Sequence, residues 1–227
     1  YEPCYLFESG IIPLASYPVK GVIWYQGESN AHNKEIHEIL FPLLVDSWRK
    51  NWNKEFPFYY VQLSGLNRPS WPHFRDSQRR LEKIIPGSGM AVSSDLGDSL
   101  DVHPKRKQEV GERLARLALN KTYGKDIVPS GPQYKESEFK NGYALISFDY
   151  ANGLRASDDK DLRSFEIAEF DGLYFPAKAI VEGNKIKVWN DKVKHPRFVR
   201  YGWAPYTNGN LGKRELLPAS TFTSADN

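Results

Sequence analysis

Val19-Lys-Gly-Val-Ile-Trp-Tyr25 is a short apolar run rich in β-branched and aromatic residues, and residues 35–52 then carry Ile36, Ile39, Leu40, Leu43, Leu44, Trp48 and Trp52 at helical spacing. A strand followed by an amphipathic helix is the opening of a βαβ unit, and the pattern repeats downstream. Residues 57–63 read as the next strand and residues 73–85 as a helix with Phe74, Ser77, Leu81 and Ile84 on one side. Residues 89–94 read as a third strand. Residues 104–121 follow as a helix opened by Pro104, with Val110, Leu114, Leu117 and Ala118 as its buried stripe. Strands alternating with helices imply an α/β unit of parallel strands covered on both faces.

The helical period disappears after Gly124. Residues 142–150, 165–170, 173–181, 185–190 and 197–204 are short β-rich runs, separated by turn signals at Asn141-Gly142, Asn152-Gly153, Asp171-Gly172 and Gly183-Asn184. Such spacing predicts a small antiparallel all-β, sandwich-like module. The chain therefore divides into an α/β unit over residues 1–123 and a β module over residues 124–227, with the boundary near residues 123–132.

Composition narrows the function classes. The 31 basic and 28 acidic residues are well mixed, so the formal charge of +3 forms no basic stripe of the kind a nucleic acid requires. No run approaches the roughly 20 apolar residues of a membrane helix, so no membrane span is expected. The single cysteine, Cys4, excludes an internal disulfide framework and a multi-cysteine metal site. The first residue is Tyr1, no signal-like stretch opens the chain, and residues 5–14 already read as interior sequence, so the chain is expected to be part of something longer.

In open parallel sheets, ligands bind beyond the carboxyl ends of the strands. The first strand runs into Gln26-Gly27-Glu28-Ser29-Asn30, the second into a long loop with Arg68, Trp71 and His73, and the third into a segment from Asp95 to His103. His103 is placed to act as a general base, and Asp101, two residues earlier, could hold its tautomer if the segment is extended. Asp98 and Asp95 are rival orienting carboxylates, and spacing does not choose among the three. Gln26 and the backbone N–H at Gly27 could together supply an oxyanion hole, with Glu28 orienting a neighbour. Ser29, in Gly27-Glu28-Ser29-Asn30-Ala31, loosely matches a nucleophile elbow, although the strand ends well before it and the next helix begins only near Asn33. A loop-forming or capping role fits it better. Residues 67–75 form an aromatic and polar loop with Trp71 and Arg75, which serve either ordinary loop packing or, should the substrate be a sugar, its contact, with Trp71 stacking on a pyranose face.

Two blocks carry a family resemblance. Gly21-Val-Ile-Trp-Tyr-Gln-Gly-Glu-Ser-Asn30 and Asp101-Val-His-Pro104, with Lys107-x-x-Val110-Gly111-x-Arg113-Leu-Ala115 downstream, resemble the sialate O-acetylesterases, which are SGNH-type carbohydrate esterases. The likeness extends through residues 6–14 and into residues 199–203 and 217–220.

The resemblance implies a three-layer α/β/α hydrolase domain, present here in part, and a serine-type removal of O-acetyl groups from sialic acids or related acetylated sugars. It needs no metal and no organic cofactor. It assigns the acid and base to Asp101 and His103, an oxyanion element to Gln26 and Gly27, and motif positions of less defined, substrate-side role to Glu28 and Asn30. The family's nucleophile lies in an early Gly-Gln-Ser-Asn block, and no such block occurs in these residues. The missing partner is therefore expected to be an N-terminal part of the same protein. The chain alone is expected to be nearly inactive, because losing a triad member typically costs about 10³-fold or more. A secreted, periplasmic or lysosomal location follows from the resemblance alone. The alternative is a non-catalytic carbohydrate-binding or interaction module that keeps the motif as structure.

Overall fold

The computed structural model describes residues 2–225; Tyr1, Asp226 and Asn227, the outermost residues of the two expected units, lie outside them. Three parallel strands, β1 (Val22–Trp24), β2 (Phe58–Val61) and β3 (Ser88–Ala91), pair in the order β1-β2-β3, with Trp24 opposite Tyr60 and Tyr60 opposite Met90. Helices α1 (Lys34–Trp52) and α2 (Trp71–Ile84) cover one face and α3 (Lys107–Leu117) the other. Both residues of each β2 pleat are buried, as a strand covered on two sides requires. The expected α/β/α layering is therefore present.

Two local readings change. The third helix begins at Lys107, not Pro104, because residues 101–106 form a chain of bends instead of a first helical turn. The face of α1 also differs from expectation. Its buried residues are His37, Phe41, Val45 and Arg49, while Ile36, Ile39, Leu40 and Leu43 are exposed. The sheet accepts only one side of a helix that is apolar on both, and a helix apolar all round is normally enclosed by more protein. β1 is an edge strand with Ile23 exposed, and Leu6, Ile12 and Leu14 are also exposed.

The second half is antiparallel, as expected, but it forms one curled sheet and not two facing ones. Strands β4 (Gln133–Lys140), β5 (Tyr143–Asp149), β7 (Phe165–Ala168), β8 (Phe175–Glu182), β9 (Lys185–Trp189), β10 (Phe198–Tyr201) and β12 (Phe222–Thr223) lie in the order β12-β10-β7-β8-β9-β5-β4. A short pair, β6 (Leu154–Ala156) with β11 (Leu211–Lys213), accompanies it. The two outermost strands meet: Tyr134 of β4 stacks on Phe222 of β12 with ring centroids 4.3 Å apart. The sheet is thus almost a closed barrel around Ile146, Ile167, Ile186, Val188 and Val199.

Arg75 fastens the two halves together. It is wholly buried in α2, where its guanidinium donates to the carbonyls of Gly202, Ala204 and Pro205 and to the Thr221 hydroxyl, at 2.6–3.0 Å. Burial lowers its pKa to about 9, and these four acceptors are what makes a charge tolerable there.

Candidate active site

The loops after the three parallel strands converge on one hollow of about 490 Å³, lined by Tyr25, Glu28, Ser29, Arg68, Val102, His103 and Lys107. Each strand end contributes, as the rule for open parallel sheets requires. Backbone contact holds the loops in register. A Cβ on Gly97 would fall 2.2 Å from the Gly65 carbonyl oxygen, so only glycine allows the β2 and β3 loops to touch. The Asn67 N–H donates to the Ser99 carbonyl 3.1 Å away, and Leu66 N–H reaches the Pro205 carbonyl of the β module.

His103 and Asp101 come together. The imidazole Nδ1 is 3.3 Å from Asp101 Oδ1, and the same oxygen accepts the His103 backbone N–H at 2.9 Å. The pairing arises from a tight turn closed by the aspartate side chain, not from an extended segment. The backbone N–H of His103 and then its ring hold the exposed Asp101 carboxyl below its ordinary pKa. The rival carboxylates are engaged elsewhere. Asp95 forms a fork with Arg113 at 2.6 and 2.7 Å, and Asp98 accepts the Leu100 N–H at 2.9 Å. With Nδ1 facing Asp101, Nε2 is the nitrogen left for a reacting group.

The Gln26 block has a different placement. Gln26 is exposed, its side-chain amide donates to Asn30 Oδ1 at 2.5 Å, and neither Gln26 nor Gly27 lines the hollow. Gly27 is buried at φ 144°, and a Cβ there would lie 2.8 Å from the Phe74 ring, so packing alone already demands glycine. Ser29 lines the hollow with His103, yet it stands in a run of turns, with Asn30 N–H bonded to the Gly27 carbonyl and helix α1 starting only at Lys34. That is not the strand-to-helix elbow of a hydrolase serine.

Two expected sugar contacts are structural. Trp71 is 2% exposed, and its indole N–H donates to the Ser64 carbonyl at 2.8 Å, so its face is closed to a sugar. Arg75 is the buried clamp described above. The hollow instead offers Arg68, whose guanidinium lies 5.5 Å from the Trp71 ring, and Lys107, whose ammonium lies 4.6 Å from the Tyr25 ring. Both follow strand ends, which was the available signal. Burial and the nearby Glu28 raise the Tyr25 phenol above its ordinary pKa.

Residues 12–120 match the carbohydrate esterase family described as sialic acid-specific acetylesterase. Over those residues the chain belongs to that family. Among curated relatives, the sialate O-acetylesterases of Mus musculus and Homo sapiens are 32% and 31% identical over 189 and 187 residues, in each case 72% of this chain. The matched part spans only about a third of their length, 34% and 36%. A crystal structure of a carbohydrate acetylesterase from Xanthomonas citri superposes with a TM-score of 0.89 at 35% identity, covering 93% of this chain and 51% of that one. Family and fold thus agree with the blocks around Gln26 and His103. Among the described residues, no helix is long and apolar enough to cross a membrane.

Proposed function

We propose that this chain supplies the acid–base half of a serine-type O-acetylesterase acting on acetylated sialic acids or related acetylated sugars, with the nucleophilic serine on polypeptide outside these residues. The observation that carries the reading is the Asp101–His103 contact in a hollow shared by all three strand ends, with Asp95 and Asp98 otherwise occupied. In this mechanism His103 Nε2 takes the serine proton as the oxygen attacks the acetyl carbonyl, while Asp101 steadies the imidazolium. His103 then protonates the departing sugar oxygen. A water attacks the acetyl-enzyme, giving its proton back through His103, and acetate leaves. Gln26 and Gly27 lie outside the hollow, so an oxyanion role for the free Gln26 amide proton and the Gly27 N–H requires the acetyl carbonyl to reach past its edge toward the end of β1. Arg68 and Lys107 provide cations for a sugar carboxylate.

The open side of the sheet supports an external nucleophile. Among the described residues β1 lacks a second neighbour, Ile23 is exposed on the α3 side of this edge, and Ile36, Ile39, Leu40 and Leu43 are exposed on α1. The shared hollow favours a second reading, in which Ser29 itself is the nucleophile. Acetate release from an O-acetylated sialic acid separates the two. The extended protein, carrying the half of the Xanthomonas citri enzyme that this chain does not match, is expected to be active and to lose about 10³-fold or more on His103→Ala. Full activity of the present chain alone, abolished by Ser29→Ala, would establish the second reading instead.

A further inference from the structure

A larger concavity, about 750 Å³, lies on the outer face of the β module, away from the hollow at His103. Sheet register builds it. Arg200 stands opposite Glu166, Glu166 opposite Pro176, and Lys178 opposite Trp189, so these side chains share the face opposite the core residues Ile167, Val188 and Val199. Residues 161–164 and 203–204 wall one side. Trp189 and Trp203 are both half-buried, each with part of its indole reachable. The polar floor is fixed in advance. Arg200 donates to both Glu166 carboxylate oxygens at 2.8 and 2.9 Å, and its guanidinium lies 3.8 Å from the Tyr174 ring and 5.6 Å from the Trp203 ring.

We propose that this cleft binds a pyranose ring of a glycan, with Trp189 and Trp203 as its apolar walls and Glu166, Arg200 and Lys178 as hydrogen-bonding partners for the ring hydroxyls. A sugar presents apolar C–H faces edged by hydroxyls that both donate and accept. Its site therefore needs indole surface together with fixed polar groups of both kinds. The carbohydrate reading given above supplies the class of ligand. The fold links the cleft to the hollow, because Trp203 meets His73 edge-on at 5.0 Å and the loop preceding His73 supplies Arg68 to the hollow.

The test uses lactose and 3′-sialyllactose, which carry no acetyl ester, titrated into the folded chain while tryptophan indole N–H resonances are followed by NMR. Saturable shifts at Trp189 and Trp203 with either sugar, unchanged by His103→Ala, are expected. Trp189→Ala should weaken binding at least tenfold. Should that variant misfold by circular dichroism, Lys178→Glu, at an exposed position, decides the matter with a several-fold loss. No saturable shift with either sugar, or shifts confined to the Trp71 indole beside Arg68 of the hollow, overturns the cleft and leaves the esterase reading standing. Cleft binding without acetate release from the extended protein removes the esterase reading alone.

Discussion

The β module closes on itself, with Tyr134 of one edge strand stacked 4.3 Å from Phe222 of the other, whereas the three-stranded sheet stops at β1 with Ile23 exposed and Ile36, Ile39, Leu40 and Leu43 of α1 facing outward. One chain thus contains a sheet whose edges are nearly satisfied and a sheet with an uncovered side. The candidate catalytic pair belongs to the uncovered one. Exposed apolar side chains at the sheet edge and on α1 are the surfaces on which further polypeptide would pack under the proposal above.

The largest expected effect comes from the clamp joining the two regions. Arg75→Met removes a buried cation and strands the Gly202, Ala204 and Pro205 carbonyls, and it should cost about 3–5 kcal/mol in urea unfolding. A loss confined to the α/β half, with the β module melting as before, would show that the barrel does not depend on α2.

Acid should separate the regions next. His37 is buried against Phe41 and Phe74, and burial lowers its pKa to about 4 from an ordinary 6.5. The unfolded chain therefore binds the extra proton first. Stability from this group is complete above about pH 6.5 and is lost as the pH falls toward 4, by up to roughly 3 kcal/mol. In the β module, Asp158 is lowered to about 2 by Asn210 and Arg163, so its ion pair persists through that window. Urea unfolding at pH 7, 5.5 and 4.5 should show the drop, and His37→Phe should flatten it. The smallest effect belongs to the open face. Ile39→Glu should change the stability of this chain by no more than about 0.5 kcal/mol, yet abolish the activity of the extended protein if that face is covered there. A large loss of stability in the isolated chain would mean the stripe is already packed.

Periodicity revealed the strands and helices of the α/β half because their apolar residues repeat at 3.6, but it could not choose which of two apolar faces of α1 meets the sheet. That choice is tertiary: Phe41 and Val45 fit against Trp24 and Phe58, and the outer stripe finds no partner within these residues. β4 escaped notice because Lys135, Glu136, Glu138 and Lys140 make it read as polar, and β12 because it is only two residues long. At the site, the contact of Asp101 with His103 was legible from their spacing of two, although a turn and not the expected extended segment brings them together. Trp71 and Arg75 were misread, because the same aromatic and cationic chemistry that holds sugars also fills cores and clamps carbonyls. Lys107 stood in a resemblance block and Arg68 in the loop after the second strand, but both gained meaning only when three loops met.

The central claim, that His103 serves a serine lying outside this chain, is tested most directly by covalent trapping. A fluorophosphonate bonds only to an activated serine, and peptide mass spectrometry then locates it. The account predicts a label in the added half of the extended protein, lost on His103→Ala, and none on any serine of residues 1–227. A labelled Ser29 peptide, dependent on His103, would contradict it.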